Sequence, residues 1–249
     1  MLVLQNITIT TPKGRVLFQD LTFSIQPGDK MAIIGEEGNG KSTLCKLIAR
    51  PQSLDEQFIV AGNIQRDQER IAYLPQQLEE HELSESVSDF MLHDHIGNID
   101  YDSFAEVKRW LGRFNIRYDD PRYDEPFRNF SGGERIKIQL ARLMTMRPEL
   151  LILDEPTNDL DIPTWKWLES FIMSSDLAIL FVSHDEALLS RCANRILHLE
   201  QTEKKAVPLW TCVSIGYEEY LASRSYNLQR QTNLSRKQKA EYDKQIEKW

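Results

Sequence analysis

The sequence predicts an α/β fold with a mostly parallel core sheet, an antiparallel β part at its start and an inserted helical stretch. Three observations predict it. Two continuous apolar runs, Leu150–Leu153 and Leu177–Val182, flank a helical pattern at Pro163–Ser174, the mark of parallel strands covered on both faces. A third apolar run, Met31–Ile34, passes through glycine-rich sequence into the helix-forming Ser42–Ile48, giving strand, glycine loop and helix in succession. Ahead of these, Leu2–Thr10 alternates apolar and polar residues, Pro12-Lys13-Gly14 reads as a turn, and Val16–Ile25 extends again.

The remaining elements follow in order. Pro27-Gly28-Asp29 is a turn before the third strand. From Glu79 to Phe130 acidic, helix-prone stretches alternate with short loops, and Pro121 and Pro126 break the end, so this part reads as a mostly helical insertion. Leu197–Gly216 reads as further strand or meander. From Tyr217 the chain is helical and polar, without an apolar stripe until Tyr242, Ile246 and Trp249.

The 249 residues suit one large domain or two small ones, and 41% hydrophobic with 27% charged residues is the balance of a globular protein. The longest uncharged runs, Met1–Pro12 and Ala206–Tyr217, have 12 residues, short of the roughly 18 a membrane span needs. No basic residue precedes Lys13, so no charged secretory leader is expected and the chain is read as cytoplasmic. Cys45, Cys192 and Cys212 are too scattered for a disulfide framework or a zinc site and are expected as free thiols. The net charge is −8, but Arg224–Trp249 holds seven basic residues against three acidic ones. That tail is +4 on a body of −12, so any attraction to a polyanion belongs to the tail.

The chemistry begins at Gly35-Glu-Glu-Gly-Asn-Gly-Lys41-Ser42, which fits G-x-x-x-x-G-K-[ST]. Gly35, Gly38 and Gly40 let successive backbone N–H groups turn into one cavity, and the following helix adds its positive end, so the loop is suited to the phosphates of a nucleotide. Lys41 is expected to reach the β and γ phosphates and the Ser42 hydroxyl to ligate Mg²⁺. The expected binding set runs through Glu36, Glu37, Asn39 and Thr43, with the two glutamates pointing outward. Leu150–Leu153 delivers Asp154 at a strand end, where a carboxylate can hold Mg²⁺ through water. Glu155 follows on the other side, placed to polarise a water for attack on the γ-phosphate. Ser131 and Glu134 have capping-box spacing, and Gly132 and Gly133 between them suggest an exposed, anion-binding helix start.

Phosphate loop, Ser-Gly-Gly-Glu, the run from Leu150 to Asp161, and Ser183-His184-Asp185, in that order and spacing, resemble the ATP-binding cassette (ABC) ATPases. The resemblance covers residues 1 to about 216. It implies a P-loop ABC cassette with a core at 1–76 and 131–216, a helical subdomain at 77–130 and a C-terminal linker helix at 217–249, with ATP and Mg²⁺ as ligands. It further implies that Gln76 joins the core to the helical subdomain and touches Mg²⁺ and the attacking water. Ser131, Gly132, Gly133 and Glu134 match the signature that contacts the γ-phosphate on a partner cassette. Asn158, Asp159, Leu160 and Asp161 match the D-loop at the interface between cassettes, and His184 matches the switch histidine on the γ-phosphate. The loop Thr10–Arg15 departs from the family's pattern: it has no aromatic residue to stack on adenine, which leaves Pro12 or an aliphatic stem for that contact.

Glu155-Pro-Thr-Asn158-Asp-Leu-Asp161 resembles the ABC-F family's form of this motif, and Tyr217-Glu-Glu-Tyr220-Leu resembles the start of the helical linker between ABC-F cassettes. The resemblance implies a soluble, two-cassette protein acting on ribosomes, of which this chain is the first cassette and the beginning of a linker directed at rRNA phosphates. The second cassette is expected in cis, or as a second copy in trans, and no extra arm is expected between Gln76 and Ser131. The alternatives are an ATPase subunit docking on a separate membrane permease, and an interaction module that uses ATP as a clamp without hydrolysis.

Overall fold

The computed structural model describes residues 2–54, 57–66, 70–92, 101–117, 119–200, 208–227 and 229–230. Strands β1 (Leu2–Thr10) and β2 (Val16–Ile25) pair antiparallel, and β4 (Ile59–Arg66) pairs with the other edge of β1. The inward residues of β1 are Leu2 and Leu4, then Ile7 and Ile9, so the alternation slips by one residue. A bulge absorbs the slip: the register shifts between Leu4 and Ile7, Asn6 takes φ 52°, and its N–H donates to Thr22 Oγ1 at 2.9 Å.

The second sheet has six strands in the order β5-β6-β7-β3-β8-β9. Strands β3 (Lys30–Gly35), β5 (Ile71–Leu74), β6 (Leu150–Asp154), β7 (Ala178–Val182) and β8 (Arg195–Glu200) run parallel, and β9 (Leu209–Val213) runs antiparallel on the edge. Every residue of β6 and β7 is buried, as their unbroken apolar runs require. One face packs Met31, Ile33, Ile152 and Leu180 against the three-stranded sheet and α1 (Lys41–Ala49). The other face packs Leu151, Leu153, Ile179 and Phe181 against α5 (Gly132–Thr145), α6 (Ile162–Ser174) and α7 (Glu186–Cys192). Burying each such Leu or Ile stabilises by about 1.5–3 kcal/mol before chain entropy is set against it.

Helices α2 (Glu80–Ser84), α3 (Val87–Leu92) and α4 (Tyr101–Arg113) lie between β5 and α5 in the chain. Pro121 opens one short 3₁₀ turn and Pro126 directly precedes another, and these end the stretch. The Phe90 and Phe127 rings stack at 4.6 Å, while Phe114, just past the end of α4, meets Trp167 of α6 edge-on at 4.9 Å, tying the helical stretch to the core.

Residues 217–227 are helical, and here the structure differs from the polar helix expected. Tyr217 and Tyr220, one turn apart, are buried in the core, so the first turn docks rather than projects. Tyr220 OH lies 2.6 Å from His198 Nδ1 on β8, and the Arg224 guanidinium closes on both His198 and Glu200. The basic residues from Arg236 to Lys248, and Tyr242, Ile246 and Trp249, lie outside the described residues.

Burial, and after it Arg224, pushes the His198 pKa down to about 4, with Glu200 pulling the other way. Between pH 6.5 and 4 the unfolded chain takes up a proton that native His198 refuses, so stability falls as pH falls through that window. The whole shift corresponds to roughly 3 kcal/mol, and partial solvation of the ring reduces this to about 2 kcal/mol. His198→Gln should flatten the loss of unfolding free energy between pH 7 and 4.5 by that amount. Parallel pH profiles for the two proteins contradict the assignment.

Candidate functional site

The phosphate-loop sequence lies between the end of β3 and the start of α1, as its strand-glycine-helix order predicts. Gly35 takes φ 149°, and a Cβ there would stand 2.3 Å from the Leu199 carbonyl oxygen on β8, so only glycine fits. Asn39 is buried and its amide donates to the same carbonyl at 3.1 Å, pinning the loop to β8 from a second point. Glu36, Glu37 and Gly38 are exposed, so the two acidic side chains stand in solvent as expected. The Lys41 ammonium crosses back over the loop to donate to the carbonyls of Gly35 (2.7 Å) and Glu36 (3.0 Å). Burial lowers the Lys41 pKa, and Glu155, Glu37 and Asp154 oppose that. Thr43 is half-buried in the first turn of α1.

Asp154 ends β6 at 1% exposure. Ser42 Oγ donates to its Oδ1 at 3.0 Å, so α1 and β6 meet at a hydroxyl and a carboxylate, the hard oxygen donors that Mg²⁺ prefers. Tyr73 OH donates to Oδ2 at 3.1 Å. Burial raises the Asp154 pKa, and the bonds from Ser42 and Tyr73 hold it down. Among the described residues no group of three or more His, Cys, Asp or Glu side chains forms a metal cage. The Ser42 hydroxyl and the Asp154 carboxylate suit a Mg²⁺ ion whose other ligands would come from phosphate and water.

Glu155 turns the chain at φ 49° while its N–H donates to Val182 O, which places it beside the loop after β7. Its Oε1 lies 3.2 Å from His184 Nε2; the carboxylate is 8% exposed and the imidazole 55%. Burial raises the Glu155 pKa, against the pull of His184 and Lys41. Asp185 steadies that loop: Oδ1 caps α7 through the Ala187 and Leu188 amides, and Oδ2 accepts from Trp165 Nε1 at 2.6 Å. Gln76 is exposed just past the end of β5 and shares a cavity of about 280 Å³ with Gly132, Glu155, Asn158 and Asp159.

Ser131 and Glu134 form a reciprocal capping box on α5, with bonds of 2.9 and 3.2 Å. Arg122 donates to the free oxygen of Glu134 at 2.7 Å. Burial works against Glu134 ionisation, but the bonds from Arg122 and Ser131 hold its pKa below the usual carboxylate range. The glycines between them have a reason that spacing alone did not reveal. A Cβ on Gly132 would stand 2.6 Å from Asp159 O, and one on Gly133 would stand 2.5 Å from Thr164 Oγ1. The start of α5 thus packs on the Asn158–Asp161 loop of its own chain. In that loop Asn158 and Asp159 are exposed, Leu160 is half-buried, and Asp161 caps α6 by accepting from the Thr164 amide at 3.0 Å.

Sequence reasoning missed Tyr73, Arg15 and Trp165. Arg15, in the loop without an aromatic, donates to Gly38 O at 3.1 Å. Each has its partner distant in sequence: Tyr73 bonds Asp154, Arg15 bonds Gly38 and Trp165 bonds Asp185.

A family model described as ABC transporter matches residues 18–158. The energy-dependent translational throttle protein EttA of Escherichia coli K12 is 35% identical over 210 residues, covering 83% of this chain and 36% of that protein. The ATP-binding protein Uup of Buchnera aphidicola is 31% identical over 239 residues, covering 93% of this chain and 36% of that protein. The chain therefore spans about a third of the length of these relatives. A dimeric ATP-binding cassette solved in a post-hydrolysis state with ADP and Pi superposes with a TM-score of 0.66 at 19% identity, covering 85% of this chain and 98% of that one, a likeness of fold. Among the described residues no helix is long and apolar enough to cross a membrane.

Proposed function

The chain belongs to the ABC transporter family, and on that premise we propose that it binds and hydrolyses ATP as an ABC-F-type cassette, pairing with a second cassette and acting on the ribosome. One observation carries the ATPase reading. A buried carboxylate, Glu155, sits 3.2 Å from His184 and next in sequence to Asp154, which is tied to the Ser42 hydroxyl at the foot of the phosphate loop. The backbone amides from Gly38 to Thr43 and the Lys41 ammonium hold the β and γ phosphates. Ser42 and Asp154, with Gln76, would hold Mg²⁺, which would supply charge neutralisation on the phosphate oxygens. Glu155 takes a proton from the attacking water as the water oxygen bonds to the γ-phosphorus, the bond from the γ-phosphorus to the bridging oxygen breaks, and ADP and phosphate leave, with Glu155 giving the proton up to phosphate or solvent. The raised Glu155 pKa improves it as a base near neutral pH. His184, on the rim of that carboxylate, holds the γ-phosphate.

In this reading residues 77–130 form the helical subdomain and Ser131–Glu134 serve the nucleotide of the second cassette, in cis or in trans. The in-chain packing of Gly132 on Asp159 supports a joint surface of signature and D-loop facing that partner. Residues 217–249 begin a linker whose basic tail meets rRNA phosphates. The +4 charge of that tail and the likeness to a translational throttle protein support the ribosome as partner, and a cytoplasmic location goes with it.

Half-sites that need a partner predict turnover per chain that rises with chain concentration. ATP-bound chain is expected to co-sediment with ribosomes at low salt and release as salt rises, losing about 0.7–0.9 in log affinity per log salt for each phosphate contacted. Equal turnover at every dilution removes the pairing. Co-sedimentation with membranes instead of ribosomes replaces the ribosome with a permease.

A further inference from the structure

Asp154 is almost fully buried, and each of its two oxygens accepts from one side chain: Oδ1 from Ser42 at 3.0 Å and Oδ2 from Tyr73 at 3.1 Å. The two donors come from different elements. Ser42 lies in the first turn of α1, whereas Tyr73 lies on β5, the neighbour of β6 in the sheet. Its flanking residues Ala72 and Leu74 face the opposite core, so strand alternation alone turns the Tyr73 ring towards α1 and the end of β6. At 8% exposure the ring is fixed by packing, and the hydroxyl has a set position.

A carboxylate held by one bond can turn about its last torsion, which is broad and nearly two-fold, and its oxygens exchange roles. A second donor on the other oxygen removes that freedom. A phenol O–H can donate there, and its bond to an ionised carboxylate is of the strong, charge-assisted kind. We propose that Tyr73 is a positioning residue for Mg²⁺ binding: by holding Asp154 Oδ2 it keeps Oδ1 facing the Ser42 hydroxyl, where the ion is held. The proposal rests on the ATPase reading above.

Tyr73→Phe retains the ring and its packing and removes only the donor. The test is ATP binding by the 249-residue chain, titrated in EDTA and across Mg²⁺ concentrations, for wild type, Tyr73→Phe, Asp154→Asn and the double variant. Tyr73→Phe should bind ATP in EDTA as wild type does and should need about tenfold more Mg²⁺, or more than that, for half of the Mg²⁺-dependent gain in affinity. In the Asp154→Asn background the same change should have no further effect on the Mg²⁺ midpoint, because Tyr73 acts through that carboxylate. An unchanged midpoint in Tyr73→Phe overturns the proposal, as does an equal shift in both backgrounds. Loss of ATP binding in EDTA also overturns it, since Tyr73 then serves the fold alone. A wild-type chain that binds ATP with no Mg²⁺ dependence removes the ATPase reading, an outcome separate from any behaviour of Tyr73.

Discussion

Glu155→Gln is expected to lower ATP turnover by about 10² to 10⁴-fold, the range a positioned general base contributes, while ATP affinity stays at the wild-type level. The separation of effects follows from the geometry. Gln has the shape of Glu, so the chain turn at φ 49° and the contact towards His184 are kept, and the Ser42–Asp154 bond does not involve Glu155. What is lost is a carboxylate whose pKa burial has raised, against the pull of His184 and Lys41. Single-turnover phosphate release and nucleotide titration read the two effects separately. Turnover within threefold of wild type, roughly 0.6 kcal/mol of barrier, removes Glu155 from its role.

Gly35→Ala carries the second large effect, and it falls on the fold as well as on the site. The new Cβ stands 2.3 Å from the Leu199 carbonyl oxygen, and the obstacle is backbone in a parallel ladder, which no rotamer change can clear. The φ of 149° is also one that alanine rarely adopts. Overpacking and backbone strain together cost about 3 kcal/mol or more. For a chain of this length that lowers Tm by roughly 6–12 °C. The displaced strand end takes the phosphate loop with it, so ATP binding is expected to fall below detection. A variant with wild-type Tm and affinity shows that β3 and β8 are not held at this separation.

The sheet and the phosphate loop were legible because their signals are local. Runs such as Leu150–Leu153 report burial on both faces, and the G-x-x-x-x-G-K-[ST] spacing reports a loop between strand and helix. The Ser131–Glu134 capping box was legible for the same reason: both partners sit within one helical turn. Asp154 and Glu155 were legible as a pair at a strand end, but not the donors on them. Tyr73 is 81 residues from Asp154, and only the placement of β5 beside β6 brings them together. The glycines of the signature show the limit most directly. Sequence offered an anion-binding role for both, whereas the structure gives each a tight neighbour in its own chain, Asp159 O and Thr164 Oγ1. The docking of Tyr217 and Tyr220 was hidden likewise, since two aromatics one turn apart make too short a stripe to stand out from a polar helix. The slip in β1 sat in plain view between Leu4 and Ile7, and reading it needed the bulge at Asn6.

The central claim is that one cassette holds half of each of two ATP sites, so nucleotide drives pairing and pairing is needed for hydrolysis. The most direct measurement is the solution mass of the Glu155→Gln chain by light scattering, with and without Mg²⁺ and ATP, at a concentration where the nucleotide-free chain is a monomer. The account predicts a mass near twice that of one chain with ATP and a return to one chain once ATP is replaced by ADP. A single-chain mass under saturating ATP, together with wild-type turnover that does not change on dilution, contradicts it.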